Sequence, residues 1–149
     1  TSRNELLSFS AKKKISILGL ANSGAKLIPK NSVIMTSRAT VGECVINQSE
    51  ATTNQGMLSL IPDRENISAF QLYFWIKRHK TLIESISNGS TFKEVYKKDM
   101  EKLEIRINKK ILTEFTEKAE PMLKYYYSIL KENCLIERLR AKIMQALFL

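Results

Sequence analysis

The side chains in this sequence that suit chemistry are hydrogen-bond donors and cations rather than nucleophiles or metal ligands. His79 is the only histidine, which excludes Ser–His–Asp triads and metal sites built from several histidines. There is no Gly-x-x-x-x-Gly-Lys-Ser/Thr phosphate loop and no Gly-x-Gly-x-x-Gly turn. The carboxylates are scattered among lysines, as on solvated faces, and an active site built from distant carboxylates is the alternative. We therefore expect a binding protein with no catalytic residues, no metal and no cofactor.

The positive charge is concentrated in the first part of the chain. The net charge is +9; residues 1–110 hold 18 Lys and Arg against 10 Asp and Glu, and residues 111–149 hold 6 against 5. A basic first part predicts a polyanionic partner, and a nearly neutral tail predicts a protein partner. Excess lysine that only keeps the domain soluble is the alternative, which charge alone leaves open.

The cysteines and the apolar runs of the sequence indicate the cellular compartment to expect. Cys44 and Cys134 form no Cys-x-x-Cys pair or Cys/His cluster, so we expect two ordinary apolar residues in a reducing cytoplasm. No apolar run approaches the roughly 18 residues that a membrane span needs, and the polar start does not resemble a signal peptide. We expect a cytoplasmic protein that does not associate with membranes.

The elements that must position these side chains indicate an α+β protein. We predict a small mixed α/β domain over residues 1–108, with turns around Gly19 and Gly24, and a long coiled-coil helix within residues 109–149. Predicted strands are Ser32–Ser37, Val41–Asn47, Met57–Ile61 and Leu103–Ile107. One helix is predicted over Ile67–Ser87, because Ser68 and Gln71 have capping-box spacing, and Asn88-Gly89 ends it.

The tail is predicted to be helical from Lys110, and Pro121 is expected to divide it into a short and a long helix. Eight residues of the long part alternate at spacings of 4 and 3, which is typical of a coiled-coil seam with two polar interruptions. We call these eight residues the seam: Met122, Tyr126, Ile129, Asn133, Ile136, Arg140, Ile143 and Leu147. A lone helix is poorly stable in water, so the seam must pack on its own domain or on another helix.

Four motifs follow one another along the chain: Lys26–Val33, Thr36–Gly42, Thr53–Gly56 and, most specifically, Gly89-Ser90-Thr91-Phe92-Lys93-Glu94. In this order they resemble motifs of the specificity subunit of type I restriction–modification enzymes. Asn133, Leu135, Leu139 and Arg140 resemble the family's conserved helical region, whereas Ala141 and Gln145 stand where the family usually has Asp and Pro. A complete specificity subunit has two recognition domains and two long helices, so we expect a half-subunit, a truncated product or a fragment.

The resemblance implies that residues 1–108 form a target recognition domain for one half of a split double-stranded DNA site. Partner methyltransferase and endonuclease subunits would perform the chemistry, and the long helix would be a spacer that carries the methyltransferase subunits. The expected DNA contacts are Lys12, Lys13, Lys14, Ser37, Arg38, Thr40, Asn54, Gln55, Ser90, Thr91, Lys93, Lys97 and Lys98.

The expected contacts have alternatives that the sequence leaves open. Arg38 can form two hydrogen bonds with guanine, or it can clamp a phosphate. Asn54 and Gln55 can pair with adenine, or they can satisfy backbone groups beside Gly56. The Gly89–Phe92 segment can bind phosphate through Ser90 and Thr91, or it can be a structural hinge. The lysines are backbone-contact candidates or solvated charges.

The single helix leads to a prediction about assembly. Two copies paired antiparallel through residues 121–147 would recreate a two-helix spacer, so we predict a homodimer, or pairing with a second half, with Asn133 helping to fix the register. The competing hypothesis is a truncated protein-interaction module that binds methyltransferase or specificity subunits without reading DNA.

Overall fold

The structure is a computed structural model that describes residues 6–11, 13–89 and 93–148. The chain divides into two compact units, Thr1–Ile107 and Asn108–Leu149. In the described residues, the first unit contains a four-stranded sheet with short helices, and the second is one long helix. The expected α+β class is confirmed.

The sheet has the spatial order β1-β3-β2-β4. Its strands are β1 (Leu7–Ser8), β2 (Val33–Thr36), β3 (Cys44–Asn47) and β4 (Met57–Leu60). β2 is antiparallel to both neighbours, with Val33 opposite Ile46 on β3 and Leu60 on β4, and β1 is parallel to β3. The first three of the four predicted strands are therefore present, as β2, β3 and β4. The second starts later than predicted because Gly42, at φ +83°, belongs to the preceding turn.

The helices are α1 (Ile17–Ala21), α2 (Ala69–Arg78), α3 (Lys80–Ser85), α4 (Lys97–Met100) and α5 (Lys109–Phe148). The capping box of α2 is present, since the Ser68 N–H group donates to Gln71 Oε1 at 2.8 Å and the Gln71 N–H group donates to Ser68 Oγ at 3.3 Å. The single helix predicted over Ile67–Ser87 was wrong, because the chain bends at His79 (φ −103°, ψ 22°). The His79 ring stacks on Trp75 and lies 2.8 Å from the Trp75 carbonyl oxygen.

Two further predictions from the sequence were wrong. Pro121 does not divide the tail, because α5 is one helix of 40 residues. The proline removes one hydrogen bond to the Glu117 carbonyl group, and both residues are exposed, so water can pair with that group. Leu103–Ile107 does not form a strand. The Leu103 N–H group donates to the Met100 carbonyl oxygen, and this bond closes the turn that follows α4.

The core of the first unit lies where α2 packs against β3 and β2. Met35, Ile46, Ile76 and Ile83 are at most 1% exposed. The bend at His79 thus separates two helices that each bury an isoleucine completely. Burying each such side chain contributes about 1.5–3 kcal/mol to the free energy of unfolding, relative to leaving it exposed. Of the described helices, none is long and apolar enough to cross a membrane.

A buried amide fixes the end of the sheet where β2 begins and β3 ends, which we call the far end. Asn47 is buried, and its Oδ1 accepts from the Ser32 N–H group at 2.7 Å. Its Nδ2 donates to the carbonyl oxygens of Pro29 at 2.9 Å and Ser49 at 2.8 Å. Both amide atoms are therefore satisfied, and the turns on either side are held together without a bound ligand.

Candidate functional site

Three segments that lie far apart in sequence meet at the opposite end of the sheet, where β2 ends and β3 and β4 begin. They are the β2–β3 loop (37–43), the turn at 53–56 and the paired segments 88–89 and 93–95, which we call the hairpin. Ser37 joins them through its backbone: its N–H group donates to the Gly56 carbonyl oxygen at 2.9 Å, and its own carbonyl oxygen accepts from the Val95 N–H group at 2.9 Å. Ser37 is 2% exposed. These buried bonds hold the three segments together at what we call the loop end.

The β2–β3 loop is closed by its own hydrogen bonds and has an exposed tip. The Thr36 N–H group donates to the Glu43 carbonyl oxygen at 2.8 Å, and the Thr36 hydroxyl donates to the carbonyl oxygens of Thr40 and Glu43. Ala39 has φ +60°, a left-handed conformation that costs an alanine roughly 1–2 kcal/mol. Arg38, Ala39 and Thr40 are exposed on this constrained tip.

The turn at 53–56 uses Asn54 to hold its shape. Asn54 Oδ1 accepts from the Gly56 N–H group at 3.0 Å, and the Asn54 carbonyl oxygen accepts from the Met57 N–H group at 3.1 Å. The amide oxygen thus pairs with the backbone N–H group of Gly56. This matches the alternative in which Asn54 satisfies backbone groups beside Gly56. Asn54 and Gln55 are both exposed at the loop end.

The hairpin brings a carboxylate to Arg38. Arg38 Nε donates to Glu94 Oε1 at 2.6 Å, and the two residues also form an antiparallel β-bridge. Asn88 and Glu94 exchange both backbone hydrogen bonds, at 2.8 and 2.9 Å. Arg38, Ala39, Lys93 and Glu94 line a shallow depression. Residue type alone predicts Arg38 and Lys93 as DNA contacts but does not predict a role for Glu94. The sequence signal that could have identified Glu94 is its place at the end of the Gly89–Glu94 motif.

A short helix adds lysines beside the hairpin. Asn88 Nδ2 donates to Asp99 Oδ2 at 3.2 Å, which ties α4 to the hairpin. The hydrogen bond from Lys102, with Nζ 3.0 Å from Asp99 Oδ1, lowers the pKa of the Asp99 carboxyl group. Lys97 and Lys98 are exposed on the same helix. This surface therefore carries positive charge next to the loop end.

Glu43 fastens the β2–β3 loop to α2 and α3. Its carboxylate accepts from Lys77 Nζ at 2.8 Å and from Lys80 Nζ. The hydrogen bonds from Lys77 and Lys80 lower the pKa of Glu43. The bond between Lys77 and Glu43 also raises the pKa of Lys77. Burial raises the pKa of the neighbouring Cys44 thiol to about 11. Cys44 is therefore an uncharged core residue at neutral pH.

The structure brings together seven of the predicted DNA contacts, all exposed at the loop end or on α4: Arg38, Thr40, Asn54, Gln55, Lys93, Lys97 and Lys98. Ser37 lies inside the junction, where burial closes its side chain to a ligand. Lys13 and Lys14 are exposed on the segment after β1. Because β1 is parallel to β3, that segment leaves the sheet at the far end. Lys12, Ser90 and Thr91 lie outside the described residues.

The second unit presents an uncovered apolar stripe. All eight seam residues are exposed, and the apolar ones range from 39% for Ile129 to 73% for Met122. A helix of 40 residues that leaves such a stripe in water forgoes the burial that usually stabilises long helices. The seam is therefore a second candidate site, for a protein partner.

No group of three or more His, Cys, Asp or Glu in the described residues is arranged to hold a metal ion. Cys44 and Cys134 are free thiols.

Comparisons with known proteins give one family. A protein-family model described as the type I restriction modification DNA specificity domain matches residues 1–119. The chain is 28% identical over 129 residues to the type I restriction enzyme MjaIX specificity subunit of Methanocaldococcus jannaschii, which covers 83% of this chain and 29% of that protein. It also resembles a chain from a solved structure whose description is the structural basis of complex assembly and conformational transition of the type I R-M system. The TM-score is 0.48 and the sequence identity is 20%; the match covers 82% of this chain and 28% of that chain. The chain spans less than a third of the length of either protein.

The Glu43 contacts predict a pH-dependent stability. The folded-state pKa of Glu43 lies below its ordinary value of 4.5, so its stabilisation is complete above that pH and is lost as pH falls through the folded value. Glu43→Gln should therefore lower the free energy of unfolding by about 1 kcal/mol at pH 7. Thermal melts should show the gap to the unaltered chain shrinking below about pH 4.5. Exposed Glu65→Gln is the matched control, and a gap that is the same at every pH would contradict the assignment.

Proposed function

The chain belongs to the type I restriction modification DNA specificity domain family, and from that membership we propose that its first unit recognises a short sequence of double-stranded DNA with the loop end. The observation that carries the proposal is the Ser37 junction, which gathers exposed donors and cations from three distant segments onto one rigid end of a sheet. Loops on a fixed scaffold are the usual place for binding residues.

Affinity for DNA would come from the positive charge. Lys93, Lys97 and Lys98 are exposed beside the loop end, and lysines that neutralise phosphates release counterions, which gives salt-dependent binding without sequence preference. Lys12, Lys13 and Lys14 are proposed as further backbone contacts, separate from those of the loop end, because the segment that contains Lys13 and Lys14 leaves the sheet at the far end. Ser90 and Thr91 are proposed as further contacts.

Specificity would come from side chains with directed hydrogen bonds. Arg38, Asn54 and Gln55 are exposed at the loop end, and the major groove presents paired acceptors and donors that their side chains can match. Thr40 is a candidate for either a base or a phosphate. The chain itself would perform no catalysis; methylation and cleavage would belong to partner subunits.

The second unit would supply the assembly. We propose that α5 pairs with a second copy, or with a second half, and that it contributes to binding methyltransferase subunits. The spacings along the seam are 4-3-4-3-4-3-4, which read the same in both directions. An antiparallel copy centred between residues 134 and 135 would therefore place every seam residue opposite another seam residue. Asn133 is proposed to help fix the register of the pairing.

A salt series on duplex binding tests the proposed DNA recognition. Log K should fall as log salt rises, and the three lysines beside the loop end should together contribute roughly −3 to that slope. Lys97→Gln and Lys98→Gln should each flatten the slope by about 1 and weaken binding to all sequences alike. Lys131→Gln, at an exposed position on α5, is the control and should leave the slope unchanged. Absence of duplex binding at low salt would favour the protein-interaction module instead.

The assembly is tested by a charge in the seam. Sedimentation at tens of micromolar should show a dimer for the unaltered chain. Ile136→Asp, at the centre of the seam, should weaken that dimer by about tenfold or more, because it places a charge in an apolar interface. Leu135→Asp makes the same kind of change at the neighbouring exposed residue outside the seam and should leave the dimer intact. A monomer for the unaltered chain would contradict the pairing.

A further inference from the structure

The loop end contains an acidic residue that does not suit a surface whose only role is to attract phosphate. Glu94 is the hairpin residue that pairs with Arg38, with Nε 2.6 Å from Oε1, and the two side chains are 50% exposed for Arg38 and 22% for Glu94. The backbone bridge between these residues and the bond from the Val95 N–H group to Ser37 fix the chain positions on both sides of the ion pair. The contact is therefore part of the junction rather than a chance meeting of two surface side chains.

The ion pair determines which donors of Arg38 are free. A guanidinium group has five N–H donors in a planar fork, and it binds a two-acceptor edge either through Nε and one Nη group or through both Nη groups. Glu94 occupies Nε. Among the hydrogen bonds and ion pairs of the described residues, Glu94 is the one side-chain partner of Arg38, and that bond leaves the Nη donors for a ligand. The end of the fork is thus held ready for a two-acceptor partner.

The charge of Glu94 distinguishes between the two partners that Arg38 can take. A phosphate is an anion, and a carboxylate beside the guanidinium both offsets its charge and repels the phosphate. The O6 and N7 edge of guanine carries no net charge, so directed hydrogen bonds to it lose little from that carboxylate. A residue whose only task was to clamp phosphate would be better without Glu94.

We propose that Arg38 recognises a guanine and that Glu94 is the positioning residue that orients it; this rests on the proposed DNA recognition by the loop end. The adjacent residues 93 and 94 then have opposite tasks. In the described residues Lys93 has no ion-pair partner and attracts the backbone, whereas Glu94 lowers general affinity and sharpens discrimination.

Selection of bound sequences by the full chain, followed by binding to the selected duplex and to variants with one guanine replaced, tests the proposal. Arg38→Ala should reduce the preference for one guanine by about 5- to 100-fold and leave the preferences at other positions unchanged. Glu94→Gln should reduce the same preference while raising affinity for random duplex by about two- to fivefold, because it removes a negative charge. The opposite direction of these two effects distinguishes positioning from a general loss of structure.

The controls separate charge, structure and geometry. Glu94→Asp retains the charge and should recover part of the guanine preference. Glu50→Gln makes the same charge change at an exposed residue that follows β3 at the far end, and it should leave the preference unchanged. Thermal melts must show each variant folded, and Lys93→Gln should weaken all duplexes equally.

Three results would overturn the proposal. Uniform weakening of all sequences by Arg38→Ala would identify a phosphate clamp, and an unchanged guanine preference in folded Glu94→Gln would show that the carboxylate does not orient Arg38; both leave the proposed function standing. If the unaltered chain selects no sequence and binds duplex without salt dependence, the proposed function fails together with this inference.

Discussion

The arrangement of the candidate site depends on the backbone pairing of one buried residue. Ser37 continues β2 by bonding Gly56 on one side and Val95 on the other, so a strand end becomes the meeting point of three loops. The hydrogen bonds lie where water cannot compete, and an unpaired group there would cost about 1–3 kcal/mol. Glu43 and its two lysines then tie the same loop to the helical layer. The exposed tip is thus supported on both sides.

This support separates two tasks that a recognition domain must combine. Lysines on flexible stems need only be near a duplex to attract it, and they stand on the hairpin and on α4. Directed hydrogen bonds need side chains held in one orientation, and Arg38 has that restraint through Glu94. The second unit adds a third task, because its exposed seam suits pairing rather than DNA contact. Under the proposed function, affinity, specificity and assembly would therefore reside on different parts of one chain.

The sequence predicted the central strands, the capped helix and the long C-terminal helix because each has a local signal in periodicity, capping or turn residues. It did not predict the bend at His79, where the ring stacks on Trp75 and after which α3 buries Ile83. Pro121 does not end α5 as predicted, because an exposed helix can lose one hydrogen bond without ending. The pairing of Arg38 with Glu94 joins residues 56 positions apart, and residue types alone contain no information about such a contact. For the same reason the burial of Ser37 became apparent only from the fold.

Hydrogen–deuterium exchange of the chain with and without a bound duplex tests the central claim most directly, since amide protection reports position without changing a residue. If the loop end binds DNA, the duplex should slow exchange in residues 38–42, 54–56 and 93–98, and the far-end residues 29–31 and 47–51 should exchange as before. Protection confined to the far end, with the three loops unaffected by a tightly bound duplex, would contradict the account.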